Sequence, residues 1–316
     1  MRLLFVRHGD PDYKNDCLNE IGRREARALA ALGPRIGWGT SFVSPLGRAQ
    51  ETAAIVLGRA VPGAHGVEAA VGCTDLSTRG DAAAACHATS GTSDSAAAAD
   101  SATSDVTGNT AAADSFDLIK TLDWLREFPA VVDPEAASLL ADAYAFRKNP
   151  DGSLKNRVVW DMYPSYYTER PAYSDYEAWR TTPVAEHSDV VAAYDRIIHS
   201  FDAFLAERGY VRDGRHYRVE KESTETITFF CHFGITCVLL SHMWNVSPFV
   251  PLQSLCMPTS SVTEVYSEER QKGFAHFRAT RIGDTTHLTM AGLKPERLPH
   301  SALFTEVYSD FSQRHD

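Results

Sequence analysis

Cysteine, long apolar runs and positive charge are all scarce in this chain of 316 residues. The six cysteines, Cys17, Cys73, Cys86, Cys231, Cys237 and Cys256, are scattered without C-x-x-C spacing. Neither a disulfide framework nor a zinc cage is expected, and the chain reads as a reduced, cytoplasmic protein. No apolar stretch approaches the ~18 residues of a membrane span, and Leu3 to Val6 is too short for a signal-peptide core and runs straight into Arg7. Lys plus Arg is 31 against Asp plus Glu 41, a net charge of −10. A surface of that sign repels nucleic-acid phosphates and anionic lipid, so neither a nucleic-acid nor a membrane partner is expected.

Between residues 77 and 115 the scarcity is local. Ala, Ser, Thr, Asp and Gly dominate, with no aromatic residue and no aliphatic one larger than Val. Such a tract buries too little apolar surface to offset its ordering entropy, so disorder is expected there rather than an Ala-rich helix. Elsewhere the composition is that of a folded soluble protein, 44% hydrophobic and 23% charged. At roughly 150 residues per domain the length allows two small domains or one large one with insertions. A single domain over 1–316 is expected, with 77–115 as an insert and 131–222 as a cap or insertion region.

Short apolar runs alternate with helix-period segments, the pattern of βαβ units and a largely parallel sheet. Strands are expected at 3–6, 41–43 and 227–231, with a strand-like pattern at 118–125. Helices are expected at 18–32, 46–57, 190–205 and 235–244. The first would place Ile21, Ala28, Leu29 and Leu32 near one face and stop at Gly33-Pro34. Residues 262–266 and 274–282 flank Gly273 as an antiparallel hairpin. The expected architecture is α/β, a three-layer α/β/α sandwich with a mostly parallel sheet, an antiparallel edge and a helical, aromatic cap.

In open α/β sheets ligands bind beyond the carboxyl ends of the strands. Here the first strand ends in Arg7-His8-Gly9 and the second in Ser44-Pro45, followed by Arg48. The strand-like run after the insert ends in Arg126-Glu127, and the late buried strand in His232-Phe233-Gly234. Parallel neighbours would bring two His, two Arg and one Glu to one edge. Two guanidiniums can clamp a tetrahedral dianion, and an imidazole can attack its phosphorus. A second imidazole can neutralise its oxygens, while a carboxylic acid protonates the departing alkoxide. Such a site requires no metal and no cofactor.

These blocks resemble the histidine phosphatase superfamily, the phosphoglycerate mutase-like family. Phe5-Val6-Arg7-His8-Gly9 is similar to its R-H-G signature, and Ser44 to Ala53 to its Ser-Pro-x-x-Arg-Ala turn into a helix with a following Thr-Ala. Leu125 to Phe128 resembles the stretch bearing the acid, and His232-Phe233-Gly234 the late His that ends a buried strand. The likeness covers roughly 1–60, 116–130 and 225–290. It implies that His8 is the nucleophile, that Arg7, Arg48 and His232 form the phosphate pocket, and that Glu127 is the proton donor. The family frequently has Thr and Asn soon after R-H-G, whereas Asp10-Pro11-Asp12-Tyr13-Lys14-Asn15 follows here. Asn15, one place later than the usual phosphate-contacting Asn, is the candidate for that contact. Asp10 and Asp12 could face a cationic or hydroxylated part of the substrate.

Each candidate has a plainer alternative. His8 and His232 could be buried structural imidazoles, with Cys231 beside His232 permitting a stray metal ligand. Arg48 and Glu51, three apart on a helix, could be a surface pair, and Asp123 or Asp133 could replace Glu127. Trp160, Tyr163, Tyr166, Tyr167, Tyr173, Tyr176 and Trp179 could pack the extension onto the sheet or cap the strand ends. Arg147, Lys148, Lys155, Arg157 and Arg170 in the same region could meet further anionic groups. The expected activity is a metal-independent phosphomonoesterase working through a phosphohistidine on a small phosphorylated metabolite. A mutase is the alternative, although the Tyr-Gly-Ala-Leu-Asn-Gly stretch of mutases is absent after Glu127. A silent member that binds a phosphorylated ligand is a third reading.

Overall fold

The structure, a computed structural model, describes residues 1–59, 119–128 and 130–294. The tract at 77–115 lies outside them. Eight strands form one sheet: β1 (Arg2–Arg7), β2 (Thr40–Val43), β3 (Lys120–Thr121), β4 (Tyr210–Asp213), β5 (His216–Val219), β6 (Thr226–Cys231), β7 (Val262–Gln271) and β8 (Phe274–Asp284), in the order β3-β2-β6-β1-β7-β8-β5-β4. The pairs β3·β2, β2·β6 and β6·β1 are parallel. From β1 onward every pair is antiparallel. The α/β class and the mixed sheet expected from the sequence are both present, with an antiparallel part four strands wide.

Side chains alternate across a strand, and in β1 both faces are covered. Leu3 and Phe5 join Phe42, Phe229 and the helix α3 (Val190–Ala206) in one apolar cluster. Leu4 and Val6 join Val43, Phe230, α1 (Glu20–Ala31) and α2 (Gly47–Leu57) in the other. Strands buried on both sides read as unbroken apolar runs, which is why Leu3 to Val6 and Ile227 to Cys231 stood out. The helix α4 (Phe233–Trp244) is buried almost all round, with only Trp244 partly exposed.

Two local expectations need correcting. Ile21 does not face the core but is 38% exposed, while Gly22, Ala26 and Leu29 are buried. The reason is Gly22, where a Cβ would sit 2.2 Å from the Asp10 carbonyl oxygen; this close approach sets the buried face of α1. After the insert only Lys120–Thr121 is strand, and a 3-10 turn at Asp123–Leu125 intervenes, so Glu127 does not terminate a strand. The hairpin β4–β5 at the sheet's far edge was missed, because its strands are short and polar. The hairpin around Gly273 is present, with Gly273 at φ +82°.

Candidate active site

Register brings the imidazoles together. Arg7 pairs with Cys231 across the parallel β1·β6 ladder, and His8 N donates to Cys231 O at 3.0 Å. His8 and His232, each one residue past its strand, therefore lie side by side, with ring centroids 5.1 Å apart and planes at 58°. Both are buried, at 1% and 0% exposure. Ser44, at the end of the next parallel strand, sits 2.8 Å from His232 Nε2 through its Oγ.

His8 Nδ1 lies 2.8 Å from its neighbour's carbonyl, Gly9 O. A carbonyl can only accept, so Nδ1 carries the hydrogen and Nε2 holds the lone pair. Burial, then the charges of Arg7 and Arg48, push the His8 pKa well below its ordinary value. Burial, then His8, Arg48, Arg7 and Arg126, do the same to His232. Both rings are thus neutral near pH 7, as a nitrogen nucleophile must be. His232 Nδ1 is buried without a hydrogen-bond partner among the described residues, an arrangement that calls for a polar ligand.

The guanidiniums are buried too. Arg7 Nη1 donates to Met257 O at 2.6 Å, and the group lies 5.8 Å from the Phe233 ring. Arg48 donates from Nη1 to Asp16 Oδ1 at 2.5 Å, with Tyr13 5.4 Å away across its face. The surface pair weighed for Arg48 and Glu51 does not form: Glu51 accepts instead from Leu18 N at 2.7 Å and from Arg23 at 2.6 Å.

Glu127 meets this group from the third chain segment. Its Oε1 accepts from Phe128 N at 2.8 Å and from Ile235 N, in the first turn of α4, at 3.1 Å. Burial raises the carboxyl's pKa, an effect opposed by those amides and by Arg7 and Arg48. With Oε1 committed as an acceptor, a proton on this group resides on Oε2. Asp123 and Asp133 are both exposed, and Asp133 caps a short turn through Glu135 N.

Asn15 lies in the loop between Tyr13 and Asp16, both of which meet Arg48. It is exposed and donates from Nδ2 to Asp12 Oδ2 at 2.7 Å, within a turn that Asp12 also holds through the amides of Lys14 and Asn15. Asp10 is buried and accepts from Asn19 Nδ2 at 2.5 Å. Its amide donates to Glu25 Oε2 at 2.9 Å, and Thr259 Oγ1 donates to the other oxygen of Glu25. Sequence reasoning missed Asp16, the Ser44 hydroxyl, the Met257 carbonyl and Arg126, an exposed cation whose charge reaches His232. Ser44 and Arg126 did carry a signal, each at the end of a run already singled out.

The extension splits in two. Tyr173 and Trp179 are fully buried against Phe249, with Trp179 also against Tyr194. Trp160 lies between Phe128 and Phe233, the neighbours of Glu127 and His232. Two of the region's cations are locally engaged: Arg157 Nε donates to Ala145 O at 2.8 Å, and Arg170 lies 3.8 Å from the Tyr166 ring centroid.

The fold and this pocket define an α/β protein with imidazoles and guanidiniums gathered at parallel strand ends. Residues 3–65 match the family model of the histidine phosphatase superfamily (branch 1), so the resemblance is borne out over the segment that carries Arg7, His8 and Arg48. Among solved structures, a mutant phosphoserine phosphatase from Entamoeba histolytica in complex with phosphoserine is similar at 11% identity and TM-score 0.45, over 91% of this chain and 98% of that one. A mycobacterial glucosyl-3-phosphoglycerate phosphatase complexed with VO3 is similar at 14% and 0.43, over 89% and 98%. The α-ribazole phosphatase of Shigella flexneri is similar at 15% and 0.41, over 90% and 97%. No curated protein matches the chain. Among the described residues no helix is long and apolar enough to cross a membrane.

Proposed function

We propose that the chain is a phosphoric monoester hydrolase that works through a phosphohistidine on a small phosphorylated metabolite. One observation carries the reading: His8 is neutral, with its proton held on Nδ1 by Gly9 O, which leaves the Nε2 lone pair beside His232 and within the field of Arg7 and Arg48. The Nε2 pair forms a bond to phosphorus as the phosphorus–oxygen bond of the ester breaks. The released electron pair goes to the leaving oxygen, which takes the Glu127 proton. Water then attacks the phosphohistidine, losing its proton to the Glu127 carboxylate, and His8 departs with its pair restored. Arg7 and Arg48 offset the charge on the phosphoryl oxygens, so these residues suffice without a metal. A dianion beside His232 also favours a proton on that ring, opposing the burial and the arginines that keep it neutral.

In this reading only the part of 131–222 ahead of α3 acts as a cap, with Trp160 the part of it that meets the leaving group, because α3 covers a face of the sheet and β4 and β5 are strands of it. The proposal extends to a cytoplasmic setting, in keeping with the few, scattered cysteines. The test is hydrolysis of an aryl phosphate with chelator present, followed by a screen of metabolite phosphates. His8→Ala should lose on the order of 10,000-fold or more in kcat/KM, and the wild-type protein should trap an acid-labile, alkali-stable phosphoryl group. Equal background rates in the two proteins would favour a ligand-binding role. Label returned to the organic acid rather than to water in a single turnover would favour the mutase.

A further inference from the structure

Asp16 holds Arg48, although nothing in the sequence singled it out. Its carboxylate accepts from Gly47 N at 2.7 Å and from Arg48 Nη1 at 2.5 Å. It thereby takes an amide from the first turn of α2, which would otherwise be open to an anion, together with one end of the guanidinium. The contact is built into the backbone. Asp16 sits at φ +49°, a region that Asp enters more readily than most residues. The loop crosses the helix start so closely that a Cβ on Gly47 would lie 2.2 Å from Asp16 O.

The Arg48 side chain is only 10% exposed, against 41% for Asp16. Its Nε is buried with no hydrogen-bond partner among the described residues. A guanidinium offers Nε and Nη2 on one edge, while Nη1 lies off that edge. Asp16 therefore grips the nitrogen outside the edge that can meet a tetrahedral anion through two parallel bonds. The charge of Arg48 is among the causes that lower the pKa of both His8 and His232.

We infer that Asp16 is a positioning residue for the anion pocket: it fixes the Arg48 guanidinium through Nη1, so that the Nε edge is presented to the phosphoryl group. The inference rests on reading this pocket as a phosphoryl site. It opposes simple electrostatics in sign, since removing a carboxylate near a bound anion should by itself tighten binding. Fixing the guanidinium in advance spares the anion the cost of immobilising a long side chain.

Calorimetric binding of inorganic phosphate to the full chain separates the two signs. Asp16→Ala should weaken phosphate binding about tenfold, and Asp16→Asn by less, because the amide oxygen still accepts one of the two bonds. In an Arg48→Ala background, Asp16→Ala should cost less than about twofold more, because the residue it acts through is gone. Unchanged or tighter binding in Asp16→Ala, or an equal loss in the Arg48→Ala background, would overturn the inference. Should Asp16→Ala fail to fold, Asp16→Asn gives the same reading. Aryl phosphate turnover, followed in parallel, should show KM rising more than kcat falls. A wild-type protein that binds phosphate without turnover would sink the hydrolase while leaving the Asp16 result standing. One that binds no phosphate would overturn both.

Discussion

The loops that follow β1, β2 and β6 bury charge, whereas residues 131–222 bury rings. In the loops His8 is anchored to Gly9 O, Ser44 to His232 and Arg7 to Met257 O, and Glu127, which arrives after β3, accepts from two amides. In the extension Tyr173 and Trp179 each meet Phe249 edge to face, and Trp179 meets Tyr194 in the same way. The first region gains specificity of position from directional bonds, and the second gains stability from area. Loss of a group should therefore be felt as rate in one and as melting in the other.

Trp179→Ala tests the stability side with the largest expected effect, a loss of about 4 kcal/mol for a fully buried indole, read by denaturant unfolding. The fraction still folded should keep its kcat. A folded Trp179→Ala protein without activity would mean that the extension belongs to the chemistry as well.

Glu25 is the place where the two regimes meet, a carboxyl buried behind the site with its pKa pushed up to about 7, chiefly by burial, from an ordinary 4.5. The folded state holds this proton more tightly than the unfolded one, so its contribution to stability is full below about pH 4.5 and is lost as pH rises towards 7, by at most about 3 kcal/mol. His287, with its pKa pushed down to about 4, slopes the opposite way between about 4 and 6.5. The measurement is thus the difference between wild type and Glu25→Gln. That gap should move in favour of Gln across pH 4.5 to 7, and a flat difference would show that Glu25 keeps an ordinary pKa.

Glu127→Gln belongs wholly to the rate side. Its effect is read in kcat/KM, which covers the steps through phosphorylation of His8 and not the later attack of water. It should slow alkyl phosphates about 100-fold while slowing aryl phosphates less than about threefold, because in that step only the poor leaving group needs the proton. In the wild-type protein the alkyl rate should fall as pH rises through the raised pKa of Glu127, and the aryl rate should not. Equal losses on both substrates would remove Glu127 as the donor.

What the sequence made legible follows the same division. Arg7, His8, Arg48 and His232 were readable because each sits within a few residues of a buried strand, where a polar residue after an apolar run is conspicuous. Glu127 was found beside the right neighbours but for a wrong reason, since a 3-10 turn and not a strand delivers it. Asp16 was hidden because its importance comes from a loop crossing α2, a contact between residues 31 apart that no local pattern encodes. Asn15 drew attention by residue type and place, and its side chain donates to Asp12. The aromatics of 160–179 could not be divided into packing and site from spacing alone, because Trp160 and Trp179 differ only in which distant rings they meet.

The central position of β1 has a consequence for biosynthesis. Its two neighbours, β6 and β7, begin at Thr226 and Val262, so more than two hundred residues must leave the ribosome before the first strand acquires either hydrogen-bonding partner. Until then a strand with four consecutive apolar residues between two arginines has two open edges, the kind of segment that chaperones recognise and that recruits other nascent chains. A message truncated ahead of Thr226 would yield a product without His232 and without a protected central strand, and it should partition to inclusion bodies or proteolysis rather than persist as a dormant fragment.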